Sequence, residues 1–178
     1  MTEVHPPVWP HGAAPRRLSF ISAPNEQARR TRDELVARYG QYAPPYADAV
    51  ICLGGDGFML ETLHSMLGEP MPVYGINCGS VGFLMNPSLP DDLPAHLART
   101  QAATLHPLRM CSGDRAGAES RALALNDVFL FCQPTQAAKS EIAADGRART
   151  PGMIRDGRLV APPAGQPPRI PFLHSPVP

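Results

Sequence analysis

Asp56 is the only ionisable residue in the run Leu53-Gly54-Gly55-Asp56-Gly57. Glycines permit positive φ angles and let a backbone come close to a ligand, and a helix that follows them offers unpaired amides to a phosphate. In that setting an acid has two chemical uses. It can take a proton from a hydroxyl nucleophile, or it can hold a magnesium ion that bridges phosphates. It also has a structural use as the N-cap of the next helix, where Asp is favoured. The turn alone leaves these readings open.

A second glycine-rich run follows one strand later, Gly75-Ile76-Asn77-Cys78-Gly79-Ser80-Val81-Gly82-Phe83-Leu84. If the two preceding strands are parallel, both loops open at one edge of the sheet, beyond the carboxyl ends of the strands, where open α/β sheets bind their ligands. Phe83 then offers a flat apolar face on which a base can stack, with core packing as the competing role. Further along, Asn126-Asp127 reads on its own as a polar pair that starts a strand.

The elements that must position these groups are legible in outline. Leu18-Ser19-Phe20-Ile21 is a short strand, and residues 25–39 form a helix capped by Asn25 and stopped by Gly40. Residues 48–53 are a nearly continuous apolar run, the pattern of a strand buried on both faces of a parallel sheet. Residues 58–67 have helical spacing, residues 72–76 make another buried strand, and residues 91–100 suit one more helix. Beyond that the rhythm changes to strand-like runs at 105–111, 122–132 and 139–145, separated by turn signals such as Ser112-Gly113-Asp114 and Asp145-Gly146. The expectation is an N-terminal parallel-sheet α/β domain over 16–101, then a mostly antiparallel β domain over 102–165. Proline-rich tails at 1–15 and 166–178 flank them, the first expected to be disordered.

Composition narrows the ligand class. The 178 residues are 43% hydrophobic and 18% charged, with 16 basic residues against 16 acidic. Such a balance creates no general field for nucleic acid or an anionic membrane, so a phosphate ligand must be held by local geometry. The four cysteines, Cys52, Cys78, Cys111 and Cys132, lack metal-ligand spacing and are expected to be reduced core residues. With no secretory leader and no run of about 18 apolar residues, a cytoplasmic protein is expected.

Three separated segments together resemble one family. Leu-Gly-Gly-Asp-Gly at 53–57, Gly-Ile-Asn-x-Gly-x-x-Gly-Phe-Leu at 75–84 and Leu-Asn-Asp at 125–127 are similar to the NAD kinases of the ATP-NAD kinase family. Lipid kinases acting on diacylglycerol or sphingosine share the first turn but are not expected to carry the second motif. The resemblance implies ATP with a divalent metal, Mg2+, and NAD as substrate. It implies that Asp56 is the catalytic acid/base for the adenosine 2′-hydroxyl, and that Gly54, Gly55, Gly57 and Asn77 line the nucleotide. Phe83 would lie at the adenine pocket, Asn126 and Asp127 would contact the dinucleotide, and Asp156 and Ala164 match the approach to the family's second nucleotide-binding loop. A homo-oligomer is implied as well.

The match stops at Gly165. The family continues Ser-Thr-Ala-Tyr, whereas this chain reads Gln166-Pro167-Pro168 and has no pattern over 169–178 that could form the missing strands of the second domain. A reading-frame change near the codon for Gly165 is therefore expected, leaving the second domain incomplete. Two alternatives to an active NAD kinase follow: an inactive truncated nucleotide-binding fragment, and a lipid kinase that shares the Gly-Gly-Asp-Gly turn.

Overall fold

In the computed structural model the described residues are 13–69, 71–79, 82–87, 89–131, 138–155, 157–160 and 171–174. The chain divides into two compact units, Met1–His106 with Gly165–Pro178, and Pro107–Ala164.

The first unit is an α/β sandwich built on a five-stranded sheet of order β1-β2-β3-β11-β4. Its strands are β1 (Leu18–Ser22), β2 (Ala49–Gly54), β3 (Val73–Asn77), β4 (Gln101–Thr104) and β11 (Pro171–His174). β1, β2, β3 and β11 run parallel, while β4 is antiparallel to β11. The helices are α1 (Glu26–Tyr39), α2 (Asp56–Ser65) and α3 (Leu93–Leu97).

β2 explains its own sequence. Every one of its residues is buried. Ala49, Ile51 and Leu53 pack with Ala28 and Leu35 of α1 and with Leu93 and Leu97 of α3. Cys52, pointing the other way, meets Thr62 of α2 at 3.5 Å. A strand covered on both faces has no solvent side on which to place polar residues, hence the unbroken apolar run. Each fully buried Leu, Ile or Val there contributes about 1.5–3 kcal/mol relative to exposure.

α1 starts and stops where its end residues predict. The Asn25 side chain accepts the Ala28 N–H at 2.8 Å, and Gly40 ends the helix at φ 77°, a left-handed value that glycine tolerates without strain. At the amino ends of β1 and β2, Asp48 accepts from the Arg17 guanidinium at 2.7 and 3.0 Å and from the backbone N–H groups of Arg16 and Arg17.

Two local expectations shift. The helix expected over 91–100 is confined to Leu93–Leu97 behind an Asp92 cap, and Gln101–Thr104 is a strand of the first sheet. The proline-rich tail, expected to lack the pattern of the missing second-domain strands, does supply a strand, but to the first sheet, where Pro171–His174 fits between β3 and β4. Pro171 is tolerated because it is the first residue of the strand.

Among the described residues the second unit shows three antiparallel pairs. β5 (Leu108–Gly113) pairs with β6 (Glu119–Ala124), β8 (Ala138–Ala144) with β9 (Arg147–Arg155), and β7 (Val128–Phe131) with β10 (Gly157–Val160). The run 122–132 is broken at Leu125-Asn126-Asp127, the link between β6 and β7.

Candidate active site

Both glycine loops leave the sheet from the same edge. Gly54, the last residue of β2, is in register with Asn77, the last of β3, and the Cys78 N–H donates to the Gly54 carbonyl at 2.8 Å. The order β1-β2-β3 does not reverse here, so the loops meet through simple adjacency of parallel strands rather than at a topological switch point.

The glycines serve packing and access. None of Gly54, Gly55, Gly57, Gly75 and Gly82 has a positive φ, contrary to one of the reasons for expecting them. A Cβ on Gly54 would stand 3.0–3.1 Å from Phe58 and Ala23, and one on Gly75 would stand 2.6 Å from the Met85 sulfur. A side chain at either position would oblige its neighbours to shift. At Gly55 and Gly57 a Cβ would meet nothing within 4 Å, so those two leave bare backbone facing open space at the start of α2.

Asp56 is the first residue of α2, and the N-cap is Gly55. Its carboxylate makes no capping bond. Oδ2 accepts the Phe83 N–H at 2.7 Å and Oδ1 accepts the Leu84 N–H at 2.9 Å. The structural alternative considered for Asp56 is thereby replaced: the acid ties the first loop to the second, from a position where the helix dipole favours negative charge.

The second loop is closed on itself at its base. The Asn77 N–H donates to the Asn86 carbonyl, and both the N–H and the side-chain amide of Asn86 donate to the Gly75 carbonyl, all at 2.9 Å. Asn77 Oδ1 accepts the Gly79 N–H at 2.9 Å. Asn86 is 1% exposed and Met85 3%, whereas the Phe83 side chain is 87% exposed. Core packing is excluded for Phe83, whose side chain stands in solvent while its backbone N–H meets the carboxylate.

Two thiols lie close to this edge. Burial pushes the Cys52 thiol up to about 11, partly opposed by its bond to Thr62. Burial also raises Cys78, opposed by Thr31. Neither has the character of a nucleophile.

Among the described residues no three of His, Cys, Asp or Glu converge as a metal cage. Asp56 is the lone acid of its turn, and each of its oxygens already takes one N–H. A magnesium ion asks for six oxygens, so at this edge it would depend on substrate phosphates and water for all but those that Asp56 could offer.

The remaining expected site residues lie elsewhere. Asn126 is exposed and Asp127 half-buried in the second unit, where the pair precedes β7. Asp156 and Ala164 fall outside the described residues.

The family model described as the ATP-NAD kinase N-terminal domain matches residues 12–104, which hold both loops. The chain belongs to the ATP-NAD kinase family. It is similar to NAD kinases of Caulobacter vibrioides (44% identical over 149 residues, 84% of this chain), Rhizobium meliloti (45% over 148, 83%) and Xylella fastidiosa (46% over 153, 86%). It spans 57–58% of the length of these three relatives. The fold also matches that of yeast NADH kinase, solved with NADH, at a TM-score of 0.63 and 19% identity, covering 83% of this chain and 57% of that one.

Within this family frame, three residues at the site escaped the sequence reading. Gly82, Met85 and Asn86 shape the second loop, although Gly82 already stood in the motif. A Cβ on Gly82 would lie 3.1 Å from Asp56 Oδ1. The sequence signal for Asn86 is weak: a polar residue after Leu84-Met85 gives no hint that it is buried and folds back onto β3.

Proposed function

We propose that this chain is the phosphoryl-transfer part of a cytoplasmic NAD kinase, which uses ATP to phosphorylate the adenosine 2′-hydroxyl of NAD and gives NADP. The observation that carries this reading is a single carboxylate between two glycine loops, flanked by the bare backbone of Gly55 and Gly57 and by the exposed ring of Phe83. Family membership and the similarity to curated NAD kinases support it.

In this reading Asp56 accepts the 2′-hydroxyl proton as that oxygen attacks the γ-phosphorus of ATP. The new O–P bond forms as the bond from the γ-phosphorus to the β–γ bridging oxygen breaks, and ADP leaves with the electron pair. Each Asp56 oxygen has two lone-pair directions and uses one for a backbone amide, so a second remains for the substrate hydroxyl. Magnesium enters with ATP, bound to its phosphates, as part of the substrate. Gly54, Gly55, Gly57 and Asn77 shape the nucleotide edge, and Phe83 stacks on a base. Asn126, Asp127, Asp156 and Ala164 are the dinucleotide contacts that the family resemblance implies. A positioned general base contributes about 100- to 10,000-fold, so removal of the Asp56 carboxylate is a sharp test.

The test is NADP formation from ATP, magnesium and NAD by the purified chain and by Asp56→Asn. The variant is expected to lose at least about 100-fold in rate. Equal rates would reject Asp56 as the base. Nucleotide binding with no NADP from either protein would point to a non-catalytic nucleotide-binding module.

A further inference from the structure

We infer that the Asp56 carboxylate is also a two-point clasp that sets the second glycine loop, and that Gly82 is a positioning residue whose missing side chain lets the clasp close. The inference rests on the proposed function for its catalytic meaning, but its structural content stands without it.

The clasp adds a second tie between the two loops, beyond the Cys78–Gly54 bond at their base. Asp56 and the Phe83-Leu84 pair are separated by 27 and 28 positions, and the carboxylate spends both oxygens on these two backbone amides. The base of the loop is fixed separately by Asn77, Asn86 and the Gly75 carbonyl. Its tip, where Phe83 is 87% exposed, lacks burial to hold it. Charge-assisted bonds to a carboxylate are about twice as strong as neutral ones, enough to order a short tip whose base is already pinned.

Gly82 decides whether the tip can approach. Its absent Cβ would lie 3.1 Å from Asp56 Oδ1 and 3.2–3.3 Å from Met85 Cβ and Cγ. Met85 is 3% exposed and cannot swing away freely. Alanine there must therefore move the loop off the carboxylate by a few tenths of an ångström, carrying Phe83 with it. The same two bonds tie the side chain proposed to accept the substrate proton to the backbone that carries the ring proposed to stack on the base.

Amide hydrogen exchange on the 178-residue chain tests this, with β2 amides as the control for folding. In Asp56→Ala, protection of the Phe83 and Leu84 amides is expected to fall at least about tenfold while β2 amides keep theirs. Asp56→Asn retains one acceptor oxygen, so one of the two amides should keep more protection than the other. Gly82→Ala should deprotect both with the carboxylate still present. In NADP assays it should raise the KM for NAD by about tenfold and lower kcat less, because the proton acceptor survives while stacking is misaligned.

Unchanged protection of Phe83 and Leu84 in Asp56→Ala overturns the clasp, even if NADP formation is lost. Lost protection with NADP formation intact overturns the catalytic reading of Asp56 and leaves the clasp standing. Gly82→Ala with native protection at both amides removes Gly82 from the role.

Discussion

Cys52 and Asp56 lie four residues apart in one strand-loop segment and have opposite chemistry because of where the chain puts them. Cys52 is sealed between the sheet and α2, and burial raises its thiol to about 11. At pH 8 about one molecule in a thousand would carry the thiolate. Cys111, on β5, is exposed, which corrects the expectation that it is a core residue. Iodoacetamide at pH 8 should therefore label Cys111 in the native protein and reach Cys52 only after unfolding, as peptide mass mapping would show; early labelling of Cys52 would contradict its burial. Asp56 as the notable acid, and the two glycine loops as its setting, were legible in the sequence because residue types carry that information. The direction of its carboxylate was not, since a first-turn Asp reads as a helix cap whenever its tertiary partners are unknown. Gly82 and Asn86 were illegible as site-shaping residues for the same reason: what each one touches lies on another segment.

At the scale of elements, β1, β2, β3 and α1 emerged close to their predicted limits because burial pattern, Asn25 cap and Gly40 stop are all local signals. α2 begins two residues earlier than its apolar spacing suggests, since the helix takes Asp56 and Gly57 into its first turn. The end of the sheet opposite the candidate site is tied by Asp48, which bridges the start of β2 to the residues just before β1. Desolvation raises the Asp48 carboxyl, but its bonds from the Arg17 side chain and from the Arg17 and Arg16 amides outweigh that and leave it below its ordinary value of 3.8. A depressed carboxylate stabilises the fold above its unfolded value, and that contribution is lost as pH falls through the lower folded value. Asp48→Asn should lower the urea midpoint at pH 7, with the difference from the native chain closing only below about pH 4. A difference that is constant from pH 7 to pH 2.5 would mean that packing, rather than charge, accounts for the loss.

For the molecule as a whole, the informative strand is the one the sequence concealed. Residues 171–174 carry too short an apolar pattern, among too many prolines, to announce a strand. A slot with partners on both sides needs little local propensity, because two ladders supply what the segment lacks. β11 fills such a slot, parallel to β3 through Phe172↔Val73 and Leu173↔Tyr74 and antiparallel to β4 over Gln101 to Thr104. Among the described strands β4 pairs with β11 alone, whereas β3 keeps β2. The loop that β11 closes is long, but closure entropy grows only with the logarithm of length, about 0.6 kcal/mol per doubling, so distance along the chain is a small obstacle. Deleting residues 171–178 should therefore act asymmetrically. Amides of Gln101–Thr104 should lose protection by at least about tenfold in hydrogen-exchange mass spectrometry, while those of β1 and β2 stay protected and the helical circular dichroism persists. Equal loss across all four strands would mean that β11 supports the whole sheet, and retained protection in β4 would mean that β4 is held by its connection to α3 rather than by the strand beside it.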